Sequence, residues 1–286
     1  MKAAEFHQAR KFADTTFGRI AYVEKGSGAA TLFIHGFPVN GFAWRDVLDD
    51  LAPARRCIAP DLMGLGYTEI KADQDLGFDQ QAAMIAGFLD RLGLSQVDLV
   101  GNDSGASISQ VFAARYPSRL RSLTLTNCEV HDLWPNAMLK AAFDQFADPS
   151  IVIGMKTMLN TPAVARQAFA SVYEDAERIP DEAFKTYFEP LVSSEERSNS
   201  MRRFLSLGNL KVLTSIAPQL RELKVPTLIV WGEADTAFDL KSPEWLKNHI
   251  GGVRRLIMVP RAKLFFPEEH PKLMSVLLQE FWRSIG

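Results

Sequence analysis

The chain has little of several things. Its 286 residues include only two cysteines, Cys57 and Cys128, and five histidines. So few cysteines exclude a disulfide-stapled scaffold or a cysteine-rich zinc site. No apolar run approaches the ~18 residues of a membrane span. Mean hydropathy is −0.05, and the N-terminal MKAAEFHQARKF lacks the apolar stretch of a secretory signal. Neither sign of charge dominates, with 32 Lys and Arg against 34 Asp and Glu, so there is no basic footprint for nucleic acid. Metal-ligand spacings and phosphate-binding loops are missing too. These absences predict a cytoplasmic protein that handles a small-molecule substrate, with no cofactor, no metal, no nucleic acid and no membrane partner.

What is present suffices for a large core: 47% of residues are hydrophobic and 10% aromatic. At about 150 residues per domain, the length allows two domains or one domain with an insertion. The first 130 residues alternate short apolar runs with longer helical patterns. FADTTF and RIAYVEKG read as paired strands, ATLFIHG as a buried strand, FAWRDVLDDLA as a helix and RRCIAP as a strand. DQQAAMIAGFLDRLG is an amphipathic helix, and QVDLVGND, ISQVFAARYP and LRSLTLTN continue the strand–helix–strand alternation. This predicts an α/β fold with a mostly parallel sheet flanked by helices. From His131 to Ser215 strand signals vanish, and prolines at 135, 149, 162, 180 and 190 separate helical stretches. Alternation resumes with PTLIVWGEAD, SPEWLKNHI, RRLIMVP and PKLMSVLLQEFWR. The pattern predicts a core of residues 1–130 and 216–286, interrupted by an inserted helical cap of residues 131–215.

The segment LVGNDSGAS carries the chemistry. A buried strand ends at Gly101-Asn102-Asp103-Ser104-Gly105 and passes straight into a helix. This is the form of a nucleophile elbow, whose flanking glycines permit close approach. Asp103 stands at the apex. Choosing Ser104 instead would put Asn102 and Ala106 where the glycines belong. The plainer alternative is an Asp that caps the helix. His35-Gly36-Phe37-Pro38 ends a strand at the same sheet edge, so the N–H groups of Phe37 and Ser104 form a candidate oxyanion hole. His35 itself reads as a buried loop anchor, and Asp61, Gly64 and Gly66 as a structural turn.

On HGFP (His35–Pro38), APDLMGLGYTE (Ala59–Glu69), LVGNDSGA (Leu99–Ala106), IVWGEAD (Ile229–Asp235) and FFPEEHP (Phe265–Pro271), the chain resembles the α/β-hydrolase superfamily. The resemblance is to its aspartate-nucleophile branch of haloalkane and haloacetate dehalogenases and epoxide hydrolases. It implies a hydrolase in which Asp103 attacks an electrophilic carbon and forms an alkyl-aspartate ester. A histidine-activated water then attacks the ester carbonyl, with the oxyanion on Phe37 and Ser104. Asp235 would orient that histidine, with Glu129 as the alternative acid.

The third member is where the match fails. Similar enzymes place Gly-His at the start of GHFxxEExP; counting back from Pro271 puts Lys263 and Leu264 in those positions. Leucine takes no proton from water. His131 and Lys263 are the candidate substitutes, and a non-hydrolytic enzyme (elimination, isomerisation or lyase chemistry) or an inactive ligand-binding pseudoenzyme are the alternatives. Ser104 replaces the halide-holding indole of dehalogenases, and Phe37 replaces their Asn, which argues against efficient dehalogenation. Trp44, Asn102, His131, Trp134, Tyr173, Tyr187 and Leu264 are the candidate pocket residues, with the two tyrosines as possible activators of an epoxide oxygen.

Overall fold

Short apolar runs bounded by turn residues become the eight strands of one sheet in the computed structural model, which describes residues 1–133, 148–206 and 211–286. Strands β1 (Arg10–Thr15) and β2 (Gly18–Lys25) form an antiparallel pair. The sheet continues with β3 (Ala30–Ile34), β4 (Arg56–Pro60), β5 (Val97–Gly101), β6 (Leu120–Thr126), β7 (Thr227–Gly232) and β8 (Val253–Val259). Their order is β1-β2-β4-β3-β5-β6-β7-β8. Strand β2 meets β4 antiparallel, and every pairing from β4 to β8 is parallel. All residues of β3, β5 and β7 are buried, which is why these central strands read as continuous apolar runs rather than alternating ones.

Helix α1 (Ala3–Gln8) precedes the sheet, in a segment where the sequence carries too few residues to show a period. Helices α2 (Arg45–Leu51), α3 (Phe78–Arg91) and α4 (Ser104–Arg115) connect the first strands. Between β6 and β7 the described regular elements are helical, including α5 (Ile151–Asn160), α6 (Pro162–Phe169), α7 (Asp181–Val192), α8 (Glu195–Ser206), α9 (Lys211–Ser215) and α10 (Ala217–Glu222). Helices α11 (Lys241–His249), α12 (Phe266–Glu269) and α13 (Pro271–Ile285) complete the chain. No helix among the described residues is long and apolar enough to cross a membrane.

Pro162 opens α6 and Pro180 precedes α7, as helix-starting prolines do. Pro190 behaves differently from the expected helix separator, because it lies inside α7. A proline has no N–H for the carbonyl four residues earlier, here that of Thr186. Asn40 supplies the missing donor: its amide reaches the Thr186 carbonyl at 2.8 Å. The loop after HGFP is thereby tied to the helical segment lying over the sheet edge.

Candidate active site

The C-terminal end of β5 builds the site. Asp103 has φ 57° and ψ −139°, a sparsely populated conformation for a residue with a side chain. Its backbone N–H donates to the Asn127 carbonyl at 2.8 Å, which extends the β5–β6 pairing one step beyond both strands. The flanking glycines are sterically required. A Cβ on Gly101 would lie 2.6 Å from the Ala106 Cα, and one on Gly105 would lie 2.3 Å from the His35 carbonyl oxygen. The strand can therefore turn directly into α4.

The Asp103 carboxylate is held, not free. The Phe37 N–H donates to Oδ2 at 2.8 Å, and the Ser104 N–H also acts on the carboxylate. Burial is the largest influence and drives the pKa of Asp103 well above the usual carboxylate range; the neighbouring Glu129 charge adds to it. The two N–H groups pull in the opposite direction without winning. The Ser104 hydroxyl is buried and has no hydrogen-bond partner among the described residues. Above the Phe37 donor, its ring stacks on Phe204 of α8, with centroids 6.4 Å apart.

Asn127, which follows β6, organises the neighbourhood although nothing in the motifs singled it out. Its side-chain amide donates to Asp235 Oδ2 at 2.7 Å, and its Oδ1 accepts the Gly232 N–H at 2.8 Å. Asp235 Oδ1 accepts the Ala237 N–H at 2.8 Å. Burial raises the Asp235 pKa to about 6, against the pull of these donors and of Lys263. The available cue was position: a polar side chain closing a strand at the edge where α/β sheets carry their ligands. Glu129 lies two residues further on. It is 4% exposed, and the Ser107 hydroxyl on the first turn of α4 donates to its Oε2.

Residue 264 does arrive at the elbow. The Asn102 amide donates to the Leu264 carbonyl at 2.9 Å and to Thr126 Oγ1 at 2.8 Å. Asn102 is thus a brace between β5, β6 and the segment before α12, and its amide is not a pocket group. Leu264 is buried, and its side chain offers no proton acceptor.

Each of the five histidines is engaged elsewhere. His35 donates from Nδ1 to the Gly36 carbonyl at 2.8 Å and accepts the Leu62 N–H on Nε2 at 2.9 Å. That pair of bonds fixes one neutral tautomer, and burial lowers the pKa of His35. His131 departs from its expected place as a base. It lies half-buried, stacked on Trp245 at 4.6 Å, with Nδ1 2.6 Å from Asp132. His249 also stacks on Trp245, at 4.2 Å. His270 meets Glu174 at 2.9 Å and His7 meets Arg10 at 2.8 Å. Lys263 donates to the Ala170 carbonyl at 2.7 Å.

Three further expected pocket residues have partners of their own. Trp44 ends a short 3₁₀ turn and packs in the core against Phe33, with centroids 5.3 Å apart. Tyr173 and Tyr187 both turn their hydroxyls to one carboxylate. Their hydroxyls donate to Glu268 at 2.5 and 2.7 Å, beside an Arg45–Glu268 pair at 2.5 Å. The partner is a buried carboxylate that needs several donors. Next to it, Glu269 accepts the N–H groups of Glu174 and Asp175 at 2.8 and 2.9 Å. Trp134 lies outside the described residues. Among those described, no group of three or more His, Cys, Asp or Glu could hold a metal ion.

Residues 31–270 match the sequence model of the alpha/beta hydrolase fold family. The chain belongs to the α/β hydrolases. This α/β hydrolase is 27% identical to Haloalkane dehalogenase 2 of Mycobacterium tuberculosis, over 94% of this chain and 93% of that protein. It is 29% identical to a cis-3-alkyl-4-alkyloxetan-2-one decarboxylase of Shewanella oneidensis, over 80% of this chain and 74% of that protein. Among solved structures, a putative ancestral haloalkane dehalogenase superposes with a TM-score of 0.79 at 22% identity, covering 96% of this chain and 99% of that one. The epoxide hydrolase CorEH superposes with a TM-score of 0.81 at 20% identity, covering 97% and 99%. At such identities the superpositions speak for the fold.

Proposed function

We propose that this α/β hydrolase is a cytoplasmic enzyme that attacks a small apolar electrophile (halide, epoxide or ester type) with Asp103, under a cap formed by residues 131–215. The Phe37 N–H at 2.8 Å from Asp103 Oδ2 carries this reading. It pins one carboxylate oxygen and leaves the other to attack carbon. The same N–H and that of Ser104 then face the oxyanion that forms when the resulting ester is opened. The unpartnered Ser104 hydroxyl is a donor for the departing halide or ring oxygen. Relatives named as a dehalogenase and as a decarboxylase of a strained four-membered lactone support electrophiles of this kind.

The first half-reaction needs no imidazole; the second needs a base. A positioned base supplies about 10²–10⁴-fold, or about 3–5 kcal/mol of barrier, and Leu264 supplies none. Intact-protein mass spectrometry after incubation with 1-bromohexane and styrene oxide tests the reading. The expected result is an adduct localised to Asp103 and absent from Asp103→Asn. An elimination or isomerisation product formed with no adduct would instead support the second reading, in which Asp103 acts as general base in elimination, isomerisation or lyase chemistry; a hydrolysis product with no adduct would mean that a base opens the ester faster than it forms. The raised pKa of Asp103 favours that second reading. Neither adduct nor product across a broad panel would point to a ligand-binding pseudoenzyme.

A further inference from the structure

We infer that Glu129 is the base of the second half-reaction, taking the proton from the water that opens the Asp103 ester; this rests on Asp103 being the nucleophile. The sheet brings Glu129 near enough to Asp103 for its charge to act on that carboxylate. The Asp103 N–H bonds to the Asn127 carbonyl at 2.8 Å, and Glu129 is two residues past Asn127 in the buried, irregular segment that follows β6. Helix α4 holds Glu129 from the other side. Ser107 donates to its carboxylate, and Gln110 donates to its carbonyl at 2.9 Å. The position is therefore defined by both elements that form the elbow.

The other candidates are less suited. Asp235 has a donor on each oxygen, Asn127 on Oδ2 and Ala237 on Oδ1, and Lys263 further favours its anion. Burial still raises its pKa to about 6, but with Asn127, Ala237 and Phe238 all donating to it, Asp235 has fewer acceptor sites left for a water than Glu129. Lys263 and His131 are held by Ala170 and by Asp132 with Trp245. Glu129 has two donors to its carboxylate among the described residues, the Ser107 hydroxyl and its own N–H. A carboxylate has about four acceptor sites, so room for a water hydrogen remains. Burial makes it a stronger base than an exposed glutamate.

The step balances. The water oxygen bonds to the ester carbonyl carbon of Asp103 as its proton passes to Glu129. The oxyanion rests on the Phe37 and Ser104 N–H groups. Collapse breaks the bond between that carbon and the alkoxy oxygen, and the departing alkoxide takes the proton back from Glu129. Alcohol leaves, and Asp103 regains its carboxyl group, which contains one oxygen from water and carries the second water proton until that proton passes to solvent.

Glu129→Gln keeps an oxygen for Ser107 and loses the base. After loading with 1-bromohexane or styrene oxide, its Asp103 adduct should decay about 10²-fold more slowly than that of the wild type, the lower end of what a general base supplies. The wild-type decay should rise with pH as Glu129 ionises, and this rise should be missing in Glu129→Gln. Asp103 is an ester in the adduct and does not titrate, and the other titrating groups facing the site, Cys128 and Asp235, are present in both proteins. Ser107→Ala removes a donor that favours the Glu129 anion, so it should move the midpoint of the decay profile to higher pH. That variant also keeps the test open should Glu129→Gln fail to fold. Equal decay or turnover in wild type and Glu129→Gln, or an unmoved midpoint in Ser107→Ala, overturns the role of Glu129 and leaves Asp103 as nucleophile. No adduct and no turnover in any of the proteins overturns both.

Discussion

Asn102 donates its side-chain amide to the main-chain carbonyl of Leu264 at 2.9 Å. Residue 264 is thus placed by its backbone, and its position beside the elbow does not depend on its side chain. Replacing that side chain should leave the segment where it is.

The double variant Lys263→Gly with Leu264→His should therefore acquire a usable imidazole. Decay of the Asp103 adduct, followed by intact mass, should accelerate toward the about 10²–10⁴-fold range of a positioned base, less whatever Glu129 already contributes. Loss of the buried leucine should cost about 1–3 kcal/mol of stability. No acceleration in the folded variant would show that residue 264 does not face the reacting carbonyl.

Asp103→Asn should abolish adduct formation and make the protein more heat-stable. The carboxylate is buried beside Glu129, and its ionised form is disfavoured in the fold. A neutral side chain of the same shape relieves that strain while keeping an acceptor for Phe37. A gain of ~1 kcal/mol corresponds to a rise of about 2–4 °C in Tm for a protein of this size. A calorimetric scan near pH 7 measures it, and a lower Tm would contradict the electrostatic account.

Stability should also fall as pH rises through the Asp235 ionisation. Its pKa in the fold is about 6, above the 3.8 of an unperturbed aspartate, so between those values the native state holds more protons than the unfolded chain. The unfolding free energy then decreases with pH: the contribution is complete below 3.8 and is lost through about 6. Asp103 and Glu129 shift in the same direction. Urea unfolding of wild type and Asp235→Asn across this window isolates the effect, and the variant should lose this part of the slope. Parallel curves would rule it out.

Glu268→Ala should be strongly destabilising. It leaves Arg45, whose side chain is 9% exposed, with only the exposed Asp46 at 3.5 Å as ion partner, and removes the acceptor of Tyr173 and Tyr187. Breaking a buried pair from one side costs about 3–5 kcal/mol. The urea midpoint reports it, and a shift of a few tenths of a kcal/mol would mean that water reaches Arg45.

The strands and the elbow were legible because their signals are local. Apolar runs, flanking glycines and the spacing back from Pro271 all lie within a few residues of what they specify. The partner of Tyr173 and Tyr187 was not legible for the opposite reason: the carboxylate that takes their hydroxyls lies 95 and 81 residues away. Asn127 escaped notice because its amide acts across 108 residues, on Asp235. Pro190 read as a break, whereas a partner from the distant HGFP loop, Asn40, lets the helix run through it.

Four and five residues beyond Leu264, Glu268 and Glu269 grip Arg45, Tyr187 and the backbone and phenol of Tyr173–Asp175. The stretch that lacks the imidazole is thus also a fastener between the helical segment and the sheet. Its mechanical duty is independent of its chemical one. The reacting group at residue 264 can be exchanged without loosening the clasp, so the shape of a hydrolytic site persists in this chain whatever its present chemistry.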